Sequence, residues 1–109
     1  MSRVLVTGGA GTIGAAVVRR LLGDPDFEVR VSDQRESPQW MREGCEVHTG
    51  DLREPTQARA ATAGCSQVIH LAATSPDCLL VDPWNALGTA QVFAYAAESA
   101  AMLGTAATA

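Results

Sequence analysis

Val4-Leu5-Val6-Thr7-Gly8-Gly9-Ala10-Gly11-Thr12-Ile13-Gly14 is the stretch that decides the fold of this chain. It opens on a short aliphatic run that reads as a strand, and the residues after Gly11 start an amphipathic helical pattern. Between the two, glycines at positions 8, 11 and 14 give G-x-x-G-x-x-G. In that context each glycine has its own task. Gly8 permits the tight turn out of the strand, Gly11 lets the backbone approach a ligand with no side chain between, and Gly14 lets helix and strand pack closely. The helix start then turns free N–H groups and a positive dipole end toward an anion. A dinucleotide pyrophosphate is the ligand this arrangement predicts, with Gly8, Gly11, Thr12, Ile13 and Gly14 around it. The bland alternative is a glycine-rich turn with no ligand.

Working outward, β-branched runs alternate with helical ones, the signature of a parallel sheet covered by helices. Arg3 to Thr7 reads as the first strand. A helix from about Gly11 to Leu22 follows, with Ile13, Val17 and Leu21 on its apolar stripe and Arg19 and Arg20 in solvent, stopped by Gly23-Asp24-Pro25. Glu28 to Ser32 is the second strand. Ser37-Pro38 reads as a cap and first-turn proline for a short helix closed by Gly44. Cys45 to His48 is the third strand, Pro55 opens a helix to about Ala63, and Gln67 to Ala72 is a fourth strand of the doubly buried type. A loop from Ala73 to Pro83 leads to a last helix, from about Asn85 to Ala101. The fold class expected is therefore α/β: an incomplete Rossmann-type parallel sheet of about four strands in the order 3-2-1-4, with helices on both faces. It forms one truncated domain over residues 1–109, without a substrate domain.

Asp33 stands 19 residues beyond Gly14 at the end of the second strand, near the roughly 20-residue spacing at which a carboxylate meets the adenosine ribose hydroxyls. That predicts NAD rather than NADP, whose 2'-phosphate would face a like charge. Arg35 bears on the same choice: it could accommodate that phosphate, stack on adenine, or be a solvated loop residue.

Composition bounds the rest. With 109 residues the chain is one small domain, and its net charge of −4 leaves no basic field for nucleic acid. All eight basic residues are arginines, scattered along the chain, and there is no lysine. No uncharged apolar run approaches the roughly 20 residues that span a bilayer, which predicts no membrane partner. The start Met1-Ser2-Arg3 runs straight into a strand with no secretory leader, so a cytoplasmic protein is expected. Cys45, Cys65 and Cys78 are odd in number and contain no C-x-x-C pair, which argues against a disulfide framework and a zinc site.

The series T-G-G-A-G-T-I-G, then Asp33, then Gly50-Asp51-Leu52, then His70-Leu71-Ala72-Ala73 resembles the extended short-chain dehydrogenase/reductase family of NAD-dependent epimerases, dehydratases and uronate dehydrogenases, over about residues 3 to 101. The resemblance implies that Asp51 bonds the adenine amino group with Leu52 beside the ring, and that the backbone of Leu71, Ala72 and Ala73 passes the cofactor's central ribose and phosphates. Asp51 has a second reading, as a cap at the entry of the following helix. His70, inside an apolar strand, reads as a core histidine with a satisfied ring rather than a catalyst.

The segment from Asn85 to Phe93 looks like the family's N-x-x-G-T helix. Only Trp84 separates Pro83 from Asn85, fewer residues than in relatives, so Asn85 is given no role. The family's Tyr-x-x-x-Lys pair has no counterpart: Tyr95 is the one tyrosine, Ser99 stands four residues on, and the apolar stripe around Tyr95 reads as packing. No catalytic residue is therefore assigned. The expectation is an NAD(P)-binding module without turnover of its own; the alternative is a non-catalytic dinucleotide sensor working through a protein partner. The edge of the fourth strand, lined by Val68, Ile69 and Leu71 without protecting charges or prolines, predicts self-association.

Overall fold

The computed structural model describes residues 2–72 together with Val92, Ala94, Tyr95 and Ala97, and these form a parallel sheet between two helical layers. The chain order is β1 (Ser2–Thr7), α1 (Thr12–Leu22), β2 (Phe27–Asp33), α2 (Gln39–Gly44), β3 (Glu46–Thr49), α3 (Pro55–Thr62) and β4 (Gln67–His70). The strands lie in the order β3-β2-β1-β4, as expected from the sequence. β1 pairs in parallel with β2 from Ser2↔Phe27 to Thr7↔Ser32, and with β4 from Val4↔Gln67 to Thr7↔His70.

Alternation along β1 divides the interior in two, because successive side chains leave opposite faces of a strand. Val4 and Val6 join Val29, Val31, Val18 of α1 and Met41 of α2 in one cluster. Leu5 joins Val68, Ala58 and Ala61 of α3, Leu52, Cys65 and Val92 in the other. The path from β3 to β4 therefore crosses β2 and β1 on the face opposite α1 and α2. Val92, Ala94, Tyr95 and Ala97 are helical; Val92 is buried, and Tyr95 packs against the Leu5 cluster with the Arg59 guanidinium 4.9 Å from its ring centroid. The packing role read for Tyr95 is thus the observed one. The loop from Ala73 and the remainder of the expected last helix lie outside the described residues.

Three local expectations are corrected. Ile13 is 70 % exposed, and the side of α1 that meets the sheet is carried by Gly14 and Val18, flanked by Ala15, Val17 and Leu21. The helix presses its first turn so closely on the glycine loop that a small residue occupies the inner position there. Ser37 does not cap α2: Pro38 is the N-cap residue, no side chain caps the helix, and the Ser37 hydroxyl is buried without a partner. β4 is less enclosed than expected, with Val68 buried and Gln67, Ile69 and His70 half-buried.

One buried charge fastens the layers. Arg30 on β2 has an 8 % exposed side chain and donates through Nη1 to the carbonyls of Ala61 at 2.8 Å and Ala63 at 2.6 Å, at the C-terminus of α3. A helix end leaves carbonyls without intrahelical donors and carries partial negative charge, so a guanidinium there answers both. Its Nε also lies 3.2 Å from Glu46 Oε2 on β3.

Candidate functional site

The C-terminal ends of the four strands open onto the glycine loop. Gly8 leaves β1 with φ +71, and a Cβ there would stand 2.8 Å from Ala72 N and Leu71 C and 2.9 Å from Leu71 O. Only a residue without a side chain combines that turn with so close an approach to the exit of β4. A Cβ on Gly14 would fall on the Gly8 carbonyl oxygen and 2.7 Å from Gly9 Cα. The first and third glycine tasks read from the sequence are therefore both present in the geometry.

At the start of α1 the first helical bond runs from Ala15 N–H to Gly11 O, at 2.8 Å. The amides of Thr12, Ile13 and Gly14 precede it and have no acceptor within the helix. No side chain caps this end, and no acidic residue stands in its first turn. The outcome is a helix N-terminus aimed past Gly11 into the crevice between β1 and β4, where the strand order reverses.

Asp33 closes the neighbouring side. It is 7 % exposed, accepts from Ala10 N–H at 3.0 Å through Oδ2, and accepts from Arg35 N–H at 2.9 Å through Oδ1. The Arg35 guanidinium pairs with the same Oδ1 at 3.4 Å and remains 68 % exposed. Its Nη2 would lie 3.2 Å from a Cβ on Gly11, so Arg35 reaches back over the middle glycine. Arg35 is thus a largely solvated residue at the mouth of the loop, paired with the carboxylate.

A second Asp-x-Arg turn follows β3. Asp51 Oδ1 accepts from Arg53 N–H at 2.9 Å, and the Arg53 guanidinium bonds both carboxylate oxygens, Nη2 reaching Oδ2 at 2.5 Å. This pairing holds the Asp51 carboxyl below the usual carboxylate range. The Asp51 side chain gives no bond to α3; Glu54 is the N-cap residue, and its N–H reaches Asp51 O at 3.0 Å. Asp51 is thus not the N-cap residue of α3, though it shapes the turn that enters that helix. Leu52 is buried in the core cluster beside Leu5 and Val68.

The row of residues in register across the strand ends is polar: His48, Ser32, Thr7 and His70. Ser32 Oγ lies 3.0 Å from His48 Nδ1, and Thr7 Oγ1 lies 2.5 Å from His70 Nδ1. Thr7 Oγ1 also accepts from Leu71 N–H at 3.0 Å and Ala72 N–H at 3.2 Å. Burial pushes both imidazoles below their ordinary value of 6.5, with the Arg30 charge adding to the effect at His48. His70 thus has a partner at Nδ1, on a half-buried strand end. Leu71 is 38 % exposed beside this row, and Ala73 lies outside the described residues.

Gly8 thus lies against Leu71 and Ala72 at the exit of β4, Gly11 to Gly14 open α1 beside it, Asp33 with Arg35 stands on the β2 side, and Asp51 with Leu52 follows β3. Sequence reasoning passed over Thr7, Arg30 and Arg53. For Thr7 and Arg30 the signal was present: a polar residue in register with apolar strand interiors calls for a partner.

Comparisons agree with this geometry. The sequence matches the NAD dependent epimerase/dehydratase family over residues 4–104. A short-chain dehydrogenase/reductase superfamily protein from Agrobacterium tumefaciens with bound NAD superposes at a TM-score of 0.71 with 32% identity, over 89% of this chain and 29% of that one. UDP-glucose 4-epimerase of Thermus thermophilus, in complex with NAD, superposes at 0.70 with 28% identity, over 89% of this chain and 34% of that one. The NAD(P)H azoreductase of Xenophilus azovorans is 37% identical over 75 residues, which are 68% of this chain and 26% of that protein. The chain thus spans about a quarter of the length of this curated relative. Glycine loop, sheet order and sequence match converge: the chain belongs to the NAD dependent epimerase/dehydratase family, and it carries that family's NAD-binding part.

Proposed function

We propose that this chain holds NAD, in preference to NADP, across the crevice between β1 and β4. The observation that supports the reading is the uncapped start of α1, which has no acidic residue in its first turn and follows the glycine loop at the exit of β1, where the sheet order reverses. The residues fit the group. The glycine loop lies against Leu71 and Ala72 with no side chain between, which is the bare backbone a pyrophosphate needs. Gly11, Thr12, Ile13 and Gly14 would hold the phosphates, Asp33 the adenosine ribose, Asp51 and Leu52 the adenine end, and Leu71, Ala72 and Ala73 the central ribose.

The preference for NAD rests on Asp33. Its carboxylate is fixed by Ala10 N–H and the Arg35 backbone, so it cannot swing away from a 2'-phosphate. Arg35 offsets part of that charge, making the preference one of degree. When bound, NAD supplies hydride exchange; the chain's own residues bind and orient it. With no lysine in the sequence, these residues supply no Tyr-x-x-x-Lys pair, and we assign them no catalytic step.

Titration calorimetry on the 109-residue chain tests this directly. Binding of NAD, with weaker binding of NADP, is the expected result. An absence of NAD binding at millimolar cofactor removes the proposal, and hydride transfer to a sugar by the pure chain removes its non-catalytic half. Among the described residues β4 pairs with β1 alone, and we further propose that this edge takes up a second copy of the chain. Sedimentation showing a monomer at micromolar concentration would contradict that.

A further inference from the structure

Among the described residues, the Thr7 hydroxyl is the side-chain group that touches both walls of the crevice. Thr7 ends β1 immediately before Gly8, is fully buried, and meets His70 Nδ1, Leu71 N–H and Ala72 N–H at once. A hydroxyl has two lone pairs and one hydrogen. The two backbone amides take the lone pairs, since an amide N–H can only donate. The hydrogen must then point at His70 Nδ1, which has to be the bare nitrogen of the ring. That arrangement calls for the neutral His70 tautomer protonated at Nε2. With a proton on Nδ1, Thr7 Oγ1 would face three donors, and Leu71 N–H would be left to Thr7 O alone.

The consequence falls on the cofactor crevice. Leu71 N–H is shared between Thr7 O at 3.1 Å and Thr7 Oγ1, whereas Ala72 N–H goes to the hydroxyl. The Thr7 hydroxyl oxygen therefore ties down the backbone at Ala72, and Gly8 has no spare room against that backbone: Ala72 N lies 2.8 Å from the Gly8 Cβ position. We propose that His70 is a positioning residue for the dinucleotide: by accepting the Thr7 proton at Nδ1 it makes that hydroxyl the double acceptor that holds the Leu71–Ala72 backbone beside the glycine loop. This rests on the dinucleotide reading above for its effect on binding, though not for the hydrogen-bond arrangement itself.

The test uses the 109-residue chain. Nitrogen-15 spectra of the imidazoles in the free protein are expected to show His70 with a bare Nδ1 and a protonated Nε2; a proton on Nδ1 overturns the proposal. His70→Asn presents an amide oxygen where Nδ1 stands and is expected to keep NAD affinity within about threefold. His70→Leu removes the acceptor and is expected to weaken NAD binding about tenfold, while adding little to a Thr7→Val background because both changes break one network. Equal affinity in wild type and His70→Leu, or equal losses in the Asn and Leu variants, refutes the positioning role. Should His70→Leu fail to fold, the tautomer and the Asn variant decide. Should the wild type bind no NAD, the proposed function falls, and the tautomer with the hydrogen-exchange protection of the Ala72 amide decides the present inference alone.

Discussion

Replacing Gly14 with alanine sets two effects of opposite sign against each other. Gly14 lies within α1, where alanine is the better helix former by about 1 kcal/mol, so propensity alone predicts a more stable protein. Packing predicts the reverse. The new Cβ would fall on the Gly8 carbonyl oxygen, 2.7 Å from Gly9 Cα and 2.8 Å from Gly8 C, against the 3.4 Å at which ordinary contact begins. Every obstructing atom is backbone, so no rotamer change relieves the overlap; the glycine loop must move off the helix. Overpacking of this kind costs about 1–3 kcal/mol, and a backbone obstruction belongs at the upper end. The net expectation is a loss of about 2 kcal/mol, which moves the urea midpoint down by about 1 M for a domain of this size. NAD affinity falls as well, because the displaced loop carries the phosphate-facing amides. Gly23→Ala is the control. That residue caps α1 at φ −77 and its nearest atom is Arg20 O at 3.5 Å, so it should unfold at or above the wild-type midpoint. Urea unfolding followed by far-ultraviolet circular dichroism compares the three proteins. A Gly14→Ala chain as stable as wild type would refute the packing argument and, with it, the close approach of loop and helix.

Other expectations follow from single contacts. Asp33→Asn keeps the shape but removes the charge beside the ribose, and calorimetry should find the NADP-to-NAD affinity ratio raised about tenfold; an unchanged ratio assigns the preference elsewhere. Arg30→Met leaves the α3 carbonyls without their charged donor and is expected to cost about 3 kcal/mol in urea unfolding, whereas a loss under about 1 kcal/mol would show that water caps α3 as well as Arg30 does. His48 and His70 both have lowered pKa values, so the folded chain binds fewer protons than the unfolded one. Their contribution is fully present above the unfolded value of 6.5, declines as pH falls below it, and is lost once pH has passed the folded values. Unfolding midpoints should therefore drop as pH falls below 6.5, and the double variant His48→Asn/His70→Asn should lose most of that slope. Asp51, held down chiefly by the Arg53 guanidinium, adds a second loss at lower pH that Arg53→Met should reduce.

The sheet was legible because its signals are local and repeated. Each strand is a short run of β-branched residues, each helix has its own punctuation, and the glycine spacing ties the first strand to the first helix. Two of the errors lie at helix starts. Ile13 matched the helical period, yet period cannot tell which side of the first turn must press against a backbone loop; that side demanded Gly14 and turned Ile13 outward. Ser37 had the composition of a cap, but Pro38 took the cap position and left the hydroxyl buried. In the site, residues that act through backbone geometry were foreseeable from spacing, Gly8 and Asp33 among them. Residues that act through a partner distant in sequence were not: Thr7 with His70, separated by 63 positions, and Arg30 with Ala61, separated by 31.

These distant pairs explain why a short stretch of sheet can present a defined ligand crevice. A parallel sheet sets its strands by evenly spaced backbone bonds, which constrain the strand interiors well and the ends poorly. At the ends this chain substitutes side-chain bonds. Thr7 with His70 fixes the exit of β4 against β1, Asp33 fixes the loop after β2 to the glycine turn, and Arg30 fixes the end of α3 beneath both. The Thr7 and Asp33 bonds join elements that border the crevice, so disturbing either should loosen binding more than it lowers stability, whereas the Arg30 bonds hold the far end of α3 and act on stability. Cofactor affinity and the exchange protection of the Ala10 and Ala72 amides should then fall together across Thr7, Asp33 and His70 variants, and a variant that lost affinity with both amides still protected would show that its side chain meets the dinucleotide directly.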